Sequence, residues 1–310
     1  MKSMQRVFLI GIVTALLFAG FSVTAVAGSD LIILHTNDIH GRIEMDEGLL
    51  GMPYIASIIE DYRERYDHVL VMDAGDTIHG RPITNTLYGE SAVDSMNAAG
   101  YDIMVPGNHD FNFGYERLLE LEEEMEFDLI AANVFKEGEL LFNPYVIREV
   151  GEYKVGVFGL ATPDTYSTTH PDNIVGIEFG DMAEAAEKYV NILRNDYEVD
   201  LVVALGHVGF GRNYHSPDVA QEVEGIDLFV DGHSHSRLPE GEWHYGTLFV
   251  QAYEYTKYLG RVQIDLSGEE PVMEASLLSP DDVEHLEPSQ ELIKLLEEAR
   301  DEARAKMLGL

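Results

Sequence analysis

A chain of 310 residues with 45% hydrophobic content can build a substantial core, as one large domain or two small ones. Its 20 Lys and Arg stand against 56 Asp and Glu, and a formal charge of −36 excludes binding a nucleic-acid polymer through a basic face. It has no cysteine, which removes disulfide frameworks, thiolate metal sites and cysteine nucleophiles together.

Residues 1–27 read as a signal peptide. Lys2 and Arg6 precede an uncharged apolar run from Val7 to Ser29, and Ala25-Val26-Ala27 has the small-x-small pattern of a cleavage site. The run is also long enough to serve as an uncleaved N-terminal anchor. Both readings export the body of the protein to the periplasm, the cell surface or the medium, with no other membrane segment. Cleavage removes Lys2 and Arg6 and takes the charge to about −38. Acidity spread this widely predicts a surface suited to a salt-rich habitat, where ions screen its self-repulsion.

Beyond the leader, β-rich runs alternate with helical ones. Leu31–His35 reads as a strand, and Gly51–Tyr66 as a helix with Ile55, Ile58, Ile59 and Tyr62 on one stripe. Val69–Met72 is a strand, Glu90–Ala99 a helix, and Ile103–Val105 a strand stopped by Pro106-Gly107. Tyr115–Met125 is a helix whose acidic run Glu120–Glu126 faces solvent, and Leu129–Ala132 is a strand. Val146–Val150 and Val155–Leu160 form a hairpin about Gly151-Glu152. Asp181–Asn195 is a helix with Asp181 as N-cap and Glu184 three residues on. Leu201–Leu205 and Leu228–Val230 are buried strands, and Thr247–Leu266 alternates like sheet throughout. In the terminal helix Ser289–Met307, the residues Leu292, Leu295, Leu296, Ala299 and Ala303 are spaced to pack on the body or on another chain. The alternation predicts an α/β fold, a sandwich of two mixed sheets covered by helices. Residues 28–288 are expected to form one domain and 289–310 a C-terminal helix.

Five apolar runs end in metal-ligand residue types. LIILHTND leads to Asp38 and His40, VLVMDAGD to Asp76, DIMVPGNHD to Asn108, His109 and Asp110, LVVALGH to His207, and LFVDGHSH to His233 and His235. Strand C-termini in α/β sheets lie along one edge, so these side chains are expected at a single rim. Glycines 75, 107, 206 and 232 each precede a ligand type by one residue and are expected to permit the sharp turns that aim it inward. One ion could take Asp38, His40 and His235, and the other Asn108, His207 and His233, with Asp76 bridging. Imidazole with carboxylate suits Zn, Mn or Fe, whereas Ca and Mg prefer oxygen shells. Two such ions about 3.5–4 Å apart can hold an activated water and clamp a phosphoryl group for in-line displacement.

The order D-x-H, G-D, G-N-H-D, G-H, G-H-x-H resembles the calcineurin-like metallophosphoesterases. HTNDIHGRIE, GDTIHGRPI, VPGNHDFNFG, ATPDTYSTTHP and DGHSHSRLPEG look like the blocks of the exported 5′-nucleotidase group, which includes UDP-sugar hydrolases and 2′,3′-cyclic-nucleotide phosphodiesterases. The likeness runs from about residue 31 to about residue 266, with helix 289–307 in the place of that group's interdomain helix. It implies a four-layer α/β/β/α sandwich and two divalent metals on Asp38, His40, Asp76, Asn108, His207, His233 and His235. It also implies a catalytic role for His109 in stabilising the transition state or protonating the leaving oxygen. Asn112 stands where the nucleotidases have an acidic partner for that histidine, as in some cyclic-phosphodiesterase relatives, and Asp110 is the other candidate partner. The group's base-stacking second domain has no counterpart before Leu310. Base recognition is therefore expected from a separate partner, or the enzyme accepts small phosphate esters with little base preference.

The implied function is an exported phosphoesterase acting on phosphate monoesters such as nucleotides, with Asn108 helping to hold the phosphoryl oxygens. A cyclic-nucleotide or sugar-nucleotide diesterase is the alternative within enzymes, and an exported non-catalytic metal-binding protein the alternative outside them. His79, Arg42, Arg81, Arg212 and Arg237 lie near the ligand blocks but are expected as local loop or surface residues. His35 is expected in the core. Tyr166, Trp243, Tyr253 and Tyr255 are expected in core or rim packing rather than as an aromatic shelf.

Overall fold

The computed structural model describes residues 30–211, 213–268 and 270–309, so the signal-peptide reading and Arg212 lie outside the described residues. Two six-stranded mixed sheets lie face to face. The first has the order β15 (Val272–Leu278), β14 (Leu259–Asp265), β1 (Asp30–Thr36), β2 (Val69–Asp73), β3 (Ile103–Met104), β4 (Asp128–Leu129). Its strands β1 to β4 run parallel, and β14 and β15 pair antiparallel at one side. The second has the order β12 (Glu242–His244), β13 (Thr247–Val250), β11 (Leu228–Val230), β10 (Leu201–His207), β8 (Tyr153–Ala161), β7 (Tyr145–Val150). Its four central strands are parallel and its two edge strands antiparallel. A small sheet of β5 (Val134–Lys136), β6 (Glu139–Leu140) and β9 (Ile177–Phe179), not foreseen from the sequence, lies apart.

Strand alternation explains the layering. Leu31 and Ile33 of β1 join Leu201, Val203 and Leu205 of β10 in the core between the sheets. Ile32 and Leu34 turn the other way and meet α1 (Gly51–Arg65), α3 (Glu90–Ala99), α4 (Tyr115–Glu122) and α8 (Gln290–Leu308). Val202 and Ala204 pack against α6 (Met182–Asn191) and α7 (Ser216–Glu222). Side chains that alternate with period two therefore feed two cores from each strand, and the result is the expected α/β/β/α order.

Helix α8 places Leu292 and Leu296 in the outer core, so it packs on the body of this chain. The Asp181 side chain caps α6 by accepting from the Glu184 N–H at 2.9 Å, but a π-helical turn, Ile192–Asp196, replaces the last α-helical turn expected there. The run Thr247–Leu266 is corrected: β13 and β14 belong to different sheets, joined by a loop. Tyr253, Tyr255 and Thr256 in that loop have φ of 70°, 62° and 58°, which no strand accommodates. Among the described residues no helix is long and apolar enough to cross a membrane. For a chain of charge −36, raising NaCl from about 0.05 M to about 2 M is expected to raise Tm. A flat Tm across that range in thermal melts would rule out surface self-repulsion as a significant cost.

Candidate metal centre

The parallel strands of both sheets deliver their C-terminal loops to one rim, and backbone hydrogen bonds tie these loops together. Asp38 N–H donates to Gly75 O at 2.9 Å and His40 N–H to Asp76 O at 2.8 Å, joining the loops after β1 and β2. The His233 N–H donates to the Asp38 carboxylate at 3.0 Å, and His207 Nδ1–H to Ala74 O at 2.6 Å, joining one sheet to the other.

The sharp turns fall mostly on the donors themselves. Asp38, His40, Asp76, His233 and His235 have φ of 51°, 48°, 60°, 71° and 50°, a conformation that costs about 1–2 kcal/mol for residues with a Cβ. Of the four glycines, only Gly75, at φ 85°, takes the turning role expected of it. The others make room. A Cβ on Gly107 would lie 2.3 Å from Asp76 Oδ1, one on Gly206 2.4 Å from the Phe229 ring, and one on Gly232 2.6 Å from Ala74 O.

All seven proposed ligands converge. His235 Nε2 lies 3.2 Å from Asp38 Oδ1 and 3.2 Å from His40 Nε2. Asn108 Oδ1 lies 3.2 Å from His207 Nε2 and 2.9 Å from His233 Nδ1. Asp76 Oδ2 faces both groups, 3.2 Å from His207 Nε2 and 3.8 Å from His40 Nε2. Donor atoms of Asp38, His40 and His235 are mutually close, as are those of Asp76, His207 and His233, and of His40, Asp76 and His109.

The outward nitrogens are engaged by acceptors, so each of these rings in its neutral form turns a lone pair inward. His207 Nδ1 is held by Ala74 O, His235 Nδ1 faces Glu254 Oε2 at 2.7 Å, and His233 Nε2 faces Asp164 Oδ2 at 3.3 Å. Imidazoles backed by carbonyl or carboxylate groups and turned toward aspartates fit borderline divalent cations. Burial alone would lower His207, but Asp76 overcomes it and raises the imidazole to about 10. Burial would likewise raise Asp76, and His207 with His40 carries it below the usual carboxylate range.

Asp110 departs from its expected role as a catalytic partner. Its carboxylate is fully buried and accepts from the N–H groups of Asp76 (2.8 Å), Thr77 (3.0 Å), Ile78 (3.0 Å) and Gly107 (2.8 Å). It holds two loops together and has no lone pair directed to the cavity. Asp231 does the same for the loop after β10, accepting from Val208, Gly209 and Ser216. Asp73 accepts from the Gly75 N–H and from the Thr36 and Thr77 hydroxyls. These last two were not singled out from the sequence; their signal was an aspartate at or just past the end of an apolar strand, before the donor block. Burial pushes Asp73 up to about 7 against those hydrogen bonds. With the folded value above the unfolded one, stability is lost as pH rises from about 4 to about 7. Asp73→Asn keeps the acceptor for Gly75 and Thr77, removes the charge, and turns its NH2 to Thr36 Oγ1, which can accept. Its Tm advantage over wild type is expected to grow across that interval and then level off; a constant difference would exclude Asp73 as the titrating group.

The donors open into a cavity of about 490 Å³ lined by His40, Arg42, Asp76, His79, Asn108, His109, Thr168, His233, His235 and Tyr255. His109 lines it, with its Nδ1 2.8 Å from Asn112 Nδ2, so Asn112 occupies the partner position. Arg42 and His79 line the site despite the surface role expected of them. The Arg42 guanidinium lies 3.3 Å over the Tyr255 ring, a cation–π contact that covers one face of it. Arg81 lies outside this cavity, 3.9 Å from Asp46, and Arg237 lies over Tyr258. Tyr166 packs on Phe179 and Trp243 is exposed on β12, so the four aromatics form no shelf. His35 is buried in the core with Nδ1 unpartnered, and burial lowers it to about 3. Glu254 and Asp164, which back two histidines, were missed because their contacts come from distant loops.

The chain is similar to curated 5′-nucleotidases and to a solved structure of one. The snake venom 5′-nucleotidase of Gloydius brevicauda is 33% identical over 291 residues, covering 82% of this chain and 48% of that protein. The 5′-nucleotidase of Bos taurus is 32% identical over 272 residues, 76% of this chain and 46% of that protein. This chain thus spans about half the length of the curated relatives it matches. The solved structure of a 5′-nucleotidase precursor from Thermus thermophilus superposes with a TM-score of 0.73 at 28% identity, covering 91% of this chain and 59% of that one. Residues 31–237, which hold every one of the seven converging donors, match the calcineurin-like phosphoesterase family, and the chain belongs to it.

Proposed function

We propose that this chain is an exported two-metal phosphoesterase that hydrolyses phosphate monoesters, nucleoside 5′-monophosphates foremost. The convergence of six imidazole, carboxylate and carboxamide donors around Asp76 carries the reading. The names of the relatives, 5′-nucleotidases of snake venom and cattle, supply the substrate class, and the venom source agrees with export. Asp38, His40 and His235 would hold one cation and Asn108, His207 and His233 the other, with Asp76 between; Zn, Mn or Fe suits the set. Divalent ions there would supply positive charge to the phosphoryl oxygens and acidify a water.

The chain's own residues do the rest. Asn108, buried at the base of the cavity, orients the phosphoryl group alongside its ligand role. The Asn112 amide donates to His109 Nδ1, which leaves His109 its proton on Nε2. That N–H hydrogen-bonds the leaving oxygen as the ester bond breaks and stabilises its developing negative charge, while the proton the oxygen finally takes comes from water. Buried Asp110 and Asp231 keep the loops from relaxing. The test is hydrolysis of AMP, p-nitrophenyl phosphate and bis-p-nitrophenyl phosphate by protein reconstituted with Mn or Zn. Monoester turnover that disappears with EDTA and returns with metal is expected; turnover of the bis-ester alone would replace the monoesterase reading with a diesterase, and none on any ester would leave a metal-binding protein.

A further inference from the structure

We propose that His79 is a specificity-determining residue whose Nε2–H contacts a hydroxyl on the organic half of the phosphate ester. This rests on the phosphoesterase reading above and adds to it which part of the substrate is recognised, and by what.

The geometry begins at Asn112. Its Nδ2 lies 2.8 Å from His109 Nδ1 and 3.2 Å from His79 Nδ1. A carboxamide nitrogen carries two hydrogens and can donate one to each ring. Both neutral imidazoles then accept at Nδ1 and keep their proton at Nε2, so one side chain sets two N–H donors in the same sense. The rings are parallel, 5° apart in plane with centroids 5.9 Å apart, and His79 is braced edge-on by Phe113 at 5.2 Å. An imidazole so held loses little freedom on meeting a ligand.

Position separates the two donors. The His109 ring lies 5.1 Å from that of His40, beside the donor cluster. His79 is one ring further out, half-buried, between buried Ile78 and exposed Gly80. His79 lines the same cavity as buried Asp76 and Asn108, so it borders space that the organic half of an ester can occupy when its phosphoryl group sits over those two. Arg42, on the same cavity, stacks on Tyr255 and spends one N–H on His40 O at 3.2 Å. His79 Nε2 has no hydrogen-bond partner among the described residues, which leaves it free to donate to a ligand in the cavity it lines. The chemistry that suits it is a hydroxylated group such as a pentose.

The experiment compares AMP with its 2′,3′-dideoxy counterpart in the metal-loaded protein. Wild type is expected to favour AMP by about tenfold in kcat/KM, the worth of one well-placed hydrogen bond. His79→Phe keeps the stacking ring without the donor and is expected to abolish that preference. His79→Gln, which restores a side-chain N–H, is expected to recover part of it. A wild type with no preference, or a His79→Phe variant that keeps it, overturns the role of His79. A wild type that hydrolyses neither AMP nor p-nitrophenyl phosphate overturns the phosphoesterase reading instead. Thermal melts identify a His79→Phe protein that has lost its fold, in which case His79→Leu, again without a donor, decides by the same ratio.

Discussion

Asp76→Asn is expected to lower kcat/KM for p-nitrophenyl phosphate by about three orders of magnitude while the fold survives. Asp76 is the donor that belongs to both halves of the centre, with Oδ2 at 3.2 Å from His207 and 3.8 Å from His40. Only Asp38 among the other six proposed ligands is a carboxylate, so the amide removes half of the negative charge that would balance two dications. The substitution is otherwise gentle. Asparagine tolerates the φ of 60° found here, and its Oδ1 can still accept from the His109 N–H, which lies 2.7 Å from Asp76 Oδ1. Elemental analysis is expected to show less bound metal, with an unfolding transition as cooperative as wild type. A variant of wild-type rate and metal content would remove Asp76 from the site.

The second large effect is expected from His109→Ala, a loss of about 10²–10³ in kcat, the range for a positioned hydrogen-bond donor to developing negative charge. Here metal content should stay at the wild-type level, because the proposed ligand set does not include His109. The measurement discriminates, since His109 also lies within donor distance of His40 and Asp76. If the variant loses metal in step with activity, His109 is a ligand and the donor role passes to another group. If turnover holds while metal also holds, His109 takes no part in the reaction.

Some of this site could be read along the chain because it is local. Asp38 and His40, Asn108 and His109, and His233 and His235 each sit within three residues of one another, just beyond a strand whose apolar alternation is plain. Such residues report their own chemistry, and parallel strands send them to one rim. The small sheet of β5, β6 and β9 was not legible, because its strands are two or three residues long and show no usable period. The loop after β13 differs from the expected strand because Tyr253 and Tyr255 continue a strand-like alternation, yet both have left-handed φ and give their N–H groups to Ser236 O and Asp38 O. Glycines were expected at the turns because glycine turns cheaply; in the folded chain the donors turn, and Gly107, Gly206 and Gly232 keep clear of what lies against them.

Residue types and their order by themselves determined that the chain is α/β, that it carries imidazole and carboxylate ligands at five strand ends, and that it has no thiol to add to them. Only the tertiary structure decided what each of these groups faces. It turned Asp110 into a clasp for backbone amides, brought Asn112 between two histidines, and set Glu254 behind His235 and Asp164 behind His233. The physical reason is that a donor's identity is local, whereas its direction depends on how two sheets stack and on which N–H groups from remote loops come within about 3 Å of it.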